Sequence, residues 1–375
     1  MTYLFLSAAP FDHTGGGQQP TQLALALACQ GERILFYQDR PTEGFEDAAN
    51  FQIWHVDPAL RGNFWHPDAE LARATLYWER FTANLAEWCD PGIVVVTCPT
   101  PWFLEGMRAL KAIGWKTAMW LVDDWAAFAK DGQIPWFIPE VQTQAIVEAD
   151  LVCVTAEPLA EIARRYGREP EIIPNGLSPV FSVPAEPAPI RKGTKTLVYW
   201  GGLSGSWFDW GTVFAIAKAR PEWVIHLIGD LPRVVESESP GNPTREPWEQ
   251  VNPPENIIVH GERSQGDLPA IGAACDVGLI PFHQGELTRA VNPIKGYEYL
   301  ACGLSIVACP MPELAGWPHT IQVELQDHWA PAIEDATAEG RIDASEFLVG
   351  KTWHDRALQF KRALGQPSLE SLVNG

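Results

Sequence analysis

The sequence predicts an α/β chain built from two Rossmann-like, doubly wound parallel-sheet domains in series. Three observations predict it. Short β-rich apolar runs alternate with helical stretches along most of the chain. The alternation pauses once, at a Pro-rich segment, and then restarts. The length, 375 residues, exceeds what one ordinary core accommodates.

The first set of strands reads as YLFLSA (3–8), RILFY (33–37), FQIWHV (51–56), GIVVVT (92–97), TAMWLV (117–122) and LVCVT (151–155). Near-continuous apolar strands of this kind are buried on both faces, as in parallel sheets. Amphipathic segments such as TQLALALACQ (21–30) and DAELARATLYWERFTANLAEWC (68–89) lie between them and cover the sheet. SVPAEPAPIRKGTK (182–195) has no apolar periodicity and reads as a linker. Strands then resume at TLVYWG (196–201), WVIHLIG (223–229), NIIVHG (256–261), DVGLIPF (276–282) and LSIVAC (304–309). The polar stretch 232–250 reads as an exposed insertion, and TWHDRALQFKRAL (352–364) as a helix capped by Thr352. The expected domains are 1–185 and 186–350, with 351–375 a final helix crossing back to the first. In such a pair a ligand is expected at the carboxyl ends of the strands, in a crevice between the domains.

Composition narrows the partners. A formal charge of −20 argues against nucleic acid or an anionic membrane surface as main partner. It leaves room for a small anion at a local cationic site, and for at most weak peripheral membrane contact. No apolar run reaches the ~18 residues of a membrane span. The N-terminal MTYLFLSAAPFDHTGGG lacks a basic region and reads as a first strand rather than a secretion signal. Seven cysteines without CxxC spacing suggest reduced, buried thiols, and nine histidines without HxH or HExxH spacing suggest no protein-bound metal. The 17 tryptophans mostly follow apolar runs and read as core residues.

Four segments could carry chemistry. APFDHTGGGQQP follows the first strand, and its glycines, including Gly16 and Gly17, allow backbone amides to approach a ligand beside a helix N-terminus. Its spacing is not that of a dinucleotide fingerprint, and a plain flexible turn is the alternative. WGGLSGSWFDW (200–210) repeats the arrangement with Gly201 and Gly202, without the Lys-Ser/Thr of a P-loop. LVDDWAAF (121–128) places Asp123 and Asp124 at the end of an apolar strand. One of them is expected to cap a helix and the other to face the crevice, where a carboxylate can orient a hydroxyl or act as a base.

The fourth segment is NPIKGYEYLACG (292–303), which reads as a short helix with Asn292 as cap, Pro293 in its first position and Gly303 at its end. Lys295 then sits in the first turn, against the helix dipole. An anion at that end would account for it, with Arg289 as a second cation; the pair suits a diphosphate. Glu298, one turn further, could accept hydrogen bonds from a ribose diol. An internal Lys295–Glu298 salt bridge is the alternative, worth a few tenths of a kcal/mol.

NPIKGYEYLACGLSIVACPMPEL (292–314) resembles the signature of GT-B glycosyltransferases, particularly the retaining family 4 type. IIPNGLSPVF (172–181), LIGD (227–230) and IIVHGERSQGDLPAIGAACDVGLIPF (257–282) stand in the order that family uses. WGGLSGSWFDW and VDDWAAF are similar to a subgroup acting in bacterial cell-surface polysaccharide and teichuronic-acid-type synthesis. The resemblance covers most of 115–315 and is strongest over 256–314.

The resemblance implies a GT-B fold and transfer of a sugar from a nucleotide-diphospho-sugar, such as a UDP-sugar, to a glycan, lipid-linked or small-molecule acceptor. It implies retention of configuration, no metal or other cofactor, and a cytoplasmic location, with the inner face of the cell membrane as a place of action. Glu298 would hold the ribose, Gly201 and Gly202 would lie on the diphosphate, and Lys295 or Arg289 would neutralise it. Arg263 would border the base, with Asn292, Gly16 and Gly17 counted among the donor-binding residues. Asp124, His13 and Lys295 would be catalytic. Two departures stand out. Ala290 occupies the position of the family's usual partner glutamate, and the glycine turn lacks the usual Arg and Lys. The rivals are a nucleotide-sugar epimerase on the same fold and a non-catalytic nucleotide-sugar-binding protein.

Overall fold

The computed structural model describes residues 1–7, 9–12, 17–42, 45–56, 71–130, 134, 136–231, 234–236, 245–247 and 251–366. The chain forms two compact units, Met1–Pro174 with Trp353–Gly375, and Asn175–Thr352.

The first unit carries β1 (Thr2–Leu6), β2 (Arg33–Gln38), β3 (Phe51–His55), β4 (Ile93–Val96), β5 (Lys116–Leu121), β6 (Leu151–Val154) and β7 (Glu171–Ile172). They form one sheet in the order β3-β2-β1-β4-β5-β6-β7, every neighbouring pair parallel. The order reverses at β1, where Phe5 pairs with Phe36 on one side and Val95 on the other. Helices α1 (Gln19–Cys29), α2 (Leu71–Trp88), α3 (Pro101–Ala112), α4 (Trp125–Lys130), α5 (Pro139–Glu148) and α6 (Glu157–Arg165) alternate with the strands. Thr100 caps α3 through the Phe103 amide, 3.1 Å, and Pro101 follows in a position that needs no N–H. Trp78 and Trp102 are fully buried here, and the Trp78 indole donates to the Trp102 carbonyl at 2.9 Å. A Cβ on Gly106 would lie 2.6 Å from the Trp78 ring, so only glycine lets α3 approach it.

The second unit carries β8 (Thr196–Trp200), β9 (Val224–Ile228), β10 (Val234–Glu236), β11 (Arg245–Pro247), β12 (Ile257–Val259), β13 (Val277–Ile280), β14 (Ser305–Ala308) and β15 (Thr320–Gln322). Six form a parallel sheet in the order β12-β9-β8-β13-β14-β15. β10 and β11 pair antiparallel as a small ribbon within the segment expected to be an insertion. Helices α7 (Trp210–Ala219), α8 (Leu268–Ala273), α9 (Glu286–Arg289), α10 (Ile294–Ala301), α11 (Trp329–Ala338) and α12 (Ser345–Leu348) complete the unit. The last helix, α13 (Trp353–Ala363), belongs to the first unit. It packs on α1, with Trp353 against Trp120 and Lys361 paired with Glu32.

Every strand expected from the sequence is present. The short outer strands β7 and β15 were not expected; two or three residues carry too little pattern to read. The chain divides at Pro174–Asn175, upstream of the Pro-rich stretch, because residues 175–181 already bond into the second unit. The Asn175 amide donates to Asn292, the Leu177 amide to the Lys351 carbonyl, and Phe181 stacks on Trp200. Among the described residues no helix is long and apolar enough to cross a membrane.

Helix α10 ends as its sequence requires. Gly303 adopts φ 73°, its amide bonds the Leu300 carbonyl and the Leu304 amide bonds Tyr299, a Schellman closure. Arg341 then donates to the Cys302, Gly272, Ala273 and Cys275 carbonyls, tying the ends of α8 and α10 together. Arg341→Ala should lower the unfolding free energy by about 1–3 kcal/mol, because several carbonyls lose a charged donor at once. Arg341→Lys should recover little of it, since a point charge cannot span the set. Urea denaturation of the three proteins checks this.

Candidate functional site

The second unit's strand order reverses between β8 and β13, and the expected chemistry gathers there. The two strands pair only at Leu197–Val277 and Val198–Gly278. Beyond that point they diverge, and Tyr299 of α10 fills the opening. Its hydroxyl accepts from the Trp200 amide at 3.3 Å and donates to the Leu279 carbonyl at 3.2 Å. A Cβ on Gly278 would lie 2.4 Å from the Tyr299 ring, so this glycine lets the ring lie on the sheet. A strand-order reversal of this kind opens the crevice in which α/β sheets bind ligands.

The glycine turn after β8 is fixed by its neighbours. Gly201 has φ 139°, its amide bonds the Ile228 carbonyl at 2.9 Å, and the Leu203 amide bonds Asp230 at 2.8 Å. Gly202 and Gly205 lie against the Trp207 ring, which a Cβ at either position would strike. Asp209 caps α7 with both oxygens, on the Thr212 amide and hydroxyl.

Lys295 reaches this turn. A Cβ on Gly201 would lie 3.2 Å from the Lys295 Cε. The ammonium stands 5.3 Å from the Tyr199 ring centre and 4.9 Å from that of Phe282, at the ends of β8 and β13. Two aromatic faces thus offset the helix dipole at the lysine's position.

Glu298 is 3% exposed. Its Oε2 accepts from the Trp200 indole at 2.6 Å and its Oε1 from the Gln265 amide at 3.1 Å. Burial pushes its carboxyl above the ordinary range, against the pull of Trp200, Gln265 and Lys295. The neighbouring tyrosines pack: Tyr297 on Trp317, Tyr299 on Trp200.

The other expected residues are placed as follows. Asn292 does not cap α10. Pro293 occupies that position, and no side-chain cap is made. The Asn292 side chain instead accepts from the Asn175 amide and donates to Glu313, because it is buried among these partners. Pro293 is thereby the cap residue rather than the first helical one. Arg289, at the exposed end of α9, lines a cleft of about 450 Å³ with Gln284, Thr288, Met311 and Gln322. Arg263 is exposed on the loop after β12. In the first unit, Asp124 is the capping member of its pair, accepting from the Ala127 amide at 3.0 Å. Gly17 is half-buried just before α1. His13 and Gly16 lie outside the described residues. Gly201, Lys295 and Glu298 therefore come together around β8. Trp200 and Gln265 were not expected in the site. Trp200 reads as one more core tryptophan, and Gln265 as a polar loop residue.

Comparison with known proteins matches this geometry to a fold. No family model matches the sequence, and no curated protein matches it. Among solved structures, the chain is similar to the apo form of lipopolysaccharide outer core galactosyltransferase WaaB, with TM-score 0.60, 12% identity, and 97% of this chain and 99% of that one covered. It is similar to an α,α-trehalose-phosphate synthase (UDP-forming) from Burkholderia xenovorans in complex with glucose-6-phosphate, at TM-score 0.62, 14% identity, and 97% and 99% coverage. It is also similar to UDP-GlcNAc 2-epimerase from Methanocaldococcus jannaschii, at TM-score 0.53, 10% identity, and 96% and 99% coverage. The fold is GT-B: two Rossmann-like α/β domains, with parallel sheets of seven and six strands.

The raised Glu298 carboxyl carries a sign. The native state binds its proton more tightly than the unfolded chain does. This residue's stabilising contribution is therefore complete below the unfolded glutamate pKa and is lost as pH rises through the folded value. Glu298→Gln should remove that segment of the stability–pH curve, as urea denaturation from pH 4 upward would reveal.

Proposed function

We propose that the protein is a glycosyltransferase that binds a nucleotide-diphospho-sugar in the 175–352 unit. The observation that carries this reading is the convergence of the Gly201 turn, the Lys295 ammonium and the Glu298 carboxylate at the β8–β13 reversal. The three suit three parts of one ligand. A glycine turn admits a diphosphate closely, an ammonium offsets its charge, and a carboxylate accepts from ribose hydroxyls. The GT-B fold supports the reading.

The chemistry follows from the leaving group. The acceptor hydroxyl attacks the anomeric carbon while that carbon's bond to the diphosphate oxygen breaks. Negative charge then grows on the diphosphate, and a fixed cation beside it stabilises the transition state more than the ground state. Lys295 is that cation, with Arg289 a second one from the cleft after β13. For a retaining transfer the departing phosphate oxygen takes the acceptor's proton, and no protein nucleophile or metal is needed. The acceptor is a glycan or a lipid-linked sugar held by the first unit, where Asp124 follows β5; His13 is proposed to act with it. Family 4 membership and a bacterial surface-polysaccharide role at the inner membrane face complete the proposal.

A second reading, a nucleotide-sugar epimerase, is favoured by the likeness to the M. jannaschii enzyme. A donor incubated without acceptor separates the two: an epimerase changes the sugar, whereas a transferase gives slow hydrolysis.

A thermal-shift screen with uridine, guanosine, adenosine and thymidine diphosphates should identify the base, since a bound ligand raises apparent stability. With that nucleotide, Lys295→Met should raise the calorimetric Kd at least about tenfold, or 1.4 kcal/mol. The same substitution should change the Kd of the unphosphorylated nucleoside little. Unchanged diphosphate affinity in both Lys295→Met and Glu298→Ala would overturn the assignment.

A further inference from the structure

The Glu298 carboxylate is buried with the neutral donors Trp200 and Gln265 as hydrogen-bond partners. An indole N–H can only donate, so the 2.6 Å contact from Trp200 commits that ring to an acceptor. The Gln265 amide is oriented as well. Its Oε1 accepts from the Ser178 hydroxyl at 3.1 Å, which turns its Nε2 toward Glu298. The relay therefore runs one way, from Ser178 through Gln265 to Glu298. All four side chains are more than nine-tenths buried.

Rigid packing holds both donors. Trp200 lies between Phe181, stacked at 6.1 Å, and Tyr299 at 4.5 Å. Gln265 opens the short 3₁₀ turn Gln265–Asp267 that leads into α8, and Ser264 closes that turn by accepting from the Gly266 amide. Three apolar residues would fill this space without the cost of desolvating a carboxylate. Keeping the carboxylate makes sense if it meets a ligand. Each oxygen receives one protein donor, and a carboxylate has about four acceptor directions. Capacity for further donors remains on both oxygens, one for each hydroxyl of a vicinal diol.

We propose that Trp200 and Gln265 are the positioning residues of the site: they fix Glu298 so that each of its oxygens accepts from one ribose hydroxyl of a ribonucleoside diphosphate. The proposal rests on the reading of Glu298 given above, and it adds the residues that make the reading physically workable. Among the described residues, the other titratable or charged groups that interact with Glu298 are on or just past its own helix. Lys295 favours the ionised form, while Tyr299 and Cys302 are groups whose own ionisation Glu298 opposes. From β8 and the 3₁₀ turn, the groups that face it are the neutral Trp200 and Gln265. Removing either donor leaves one oxygen of the carboxylate without its partner. The ionised form of the carboxyl should then be disfavoured further, and a protonated carboxyl accepts one hydroxyl fewer.

The test is a comparison of ADP, GDP and UDP, each against its 2′-deoxy counterpart, by calorimetry from pH 6 to pH 9. The wild type should prefer the ribonucleotide at least about tenfold across the range. Trp200→Phe and Gln265→Leu should prefer it severalfold less at pH 6 and regain the preference toward pH 9. A packing defect alone does not produce that recovery. Glu298→Gln should show little preference at any pH. Should Trp200→Phe not fold, as judged by circular dichroism, Gln265→Leu and Gln265→Met carry the same measurement. If the variants keep the full preference with a flat pH profile while Glu298→Gln loses it, the positioning role is wrong and the ribose reading stands. If the wild type shows no preference, or binds none of the diphosphates, both fall.

Discussion

A carboxylate removed from water must be given donors, and in this protein that requirement fixes the arrangement of the second unit's centre. Glu298 draws its donors from the end of β8 and from the turn before α8. Three segments distant in sequence are thereby brought to one point. The indole that serves it is held by Phe181 and Tyr299, so the carboxylate's demand propagates into the packing around it. Tyr299 completes the circuit by bridging β8 and β13 where they part.

The same centre organises the chain's passage into this unit. Asn175, Ser178 and Phe181, the first residues after the division, engage Asn292, Gln265 and Trp200 respectively. The entering strand of chain is thus part of the scaffold around Glu298 rather than a passive linker. This explains why the unit begins ahead of the Pro-rich stretch. On the opposite side Arg341 holds the ends of α8 and α10, so both elements that meet at Glu298 are also fixed at their far ends. The result is a small set of charged and polar groups on a rigid frame.

Much of this was legible from local pattern. Parallel strands buried on two faces are written as apolar runs, so β1 to β6 and the main strands of the second sheet could be read directly. The closing glycine of α10 was legible because its left-handed backbone excludes side chains. The start of the same helix misled. Asn292 has the chemistry of a cap, yet burial beside Asn175 and Glu313 claims its side chain, and that competition is tertiary. The carboxylate pair after β5 shows the reverse: a local cap was foreseen for one member, and the backbone assigned it to Asp124.

The resemblance to GT-B glycosyltransferases implied the class; by itself the sequence determined which segments are strands and helices, and the three candidate groups Gly201, Lys295 and Glu298. These follow from propensity, periodicity and residue chemistry, which act over a few neighbours. Only the tertiary structure decided that Tyr199 and Phe282 flank the lysine, that Trp200 and Gln265 bond the carboxylate, and that Asn292 bonds Asn175 and Glu313 rather than capping its helix. Those choices depend on which distant residues share a buried volume. Hydrogen bonds made inside such a volume leave no periodic trace along the chain, because their cost and their gain exist only after the sheet has closed over them.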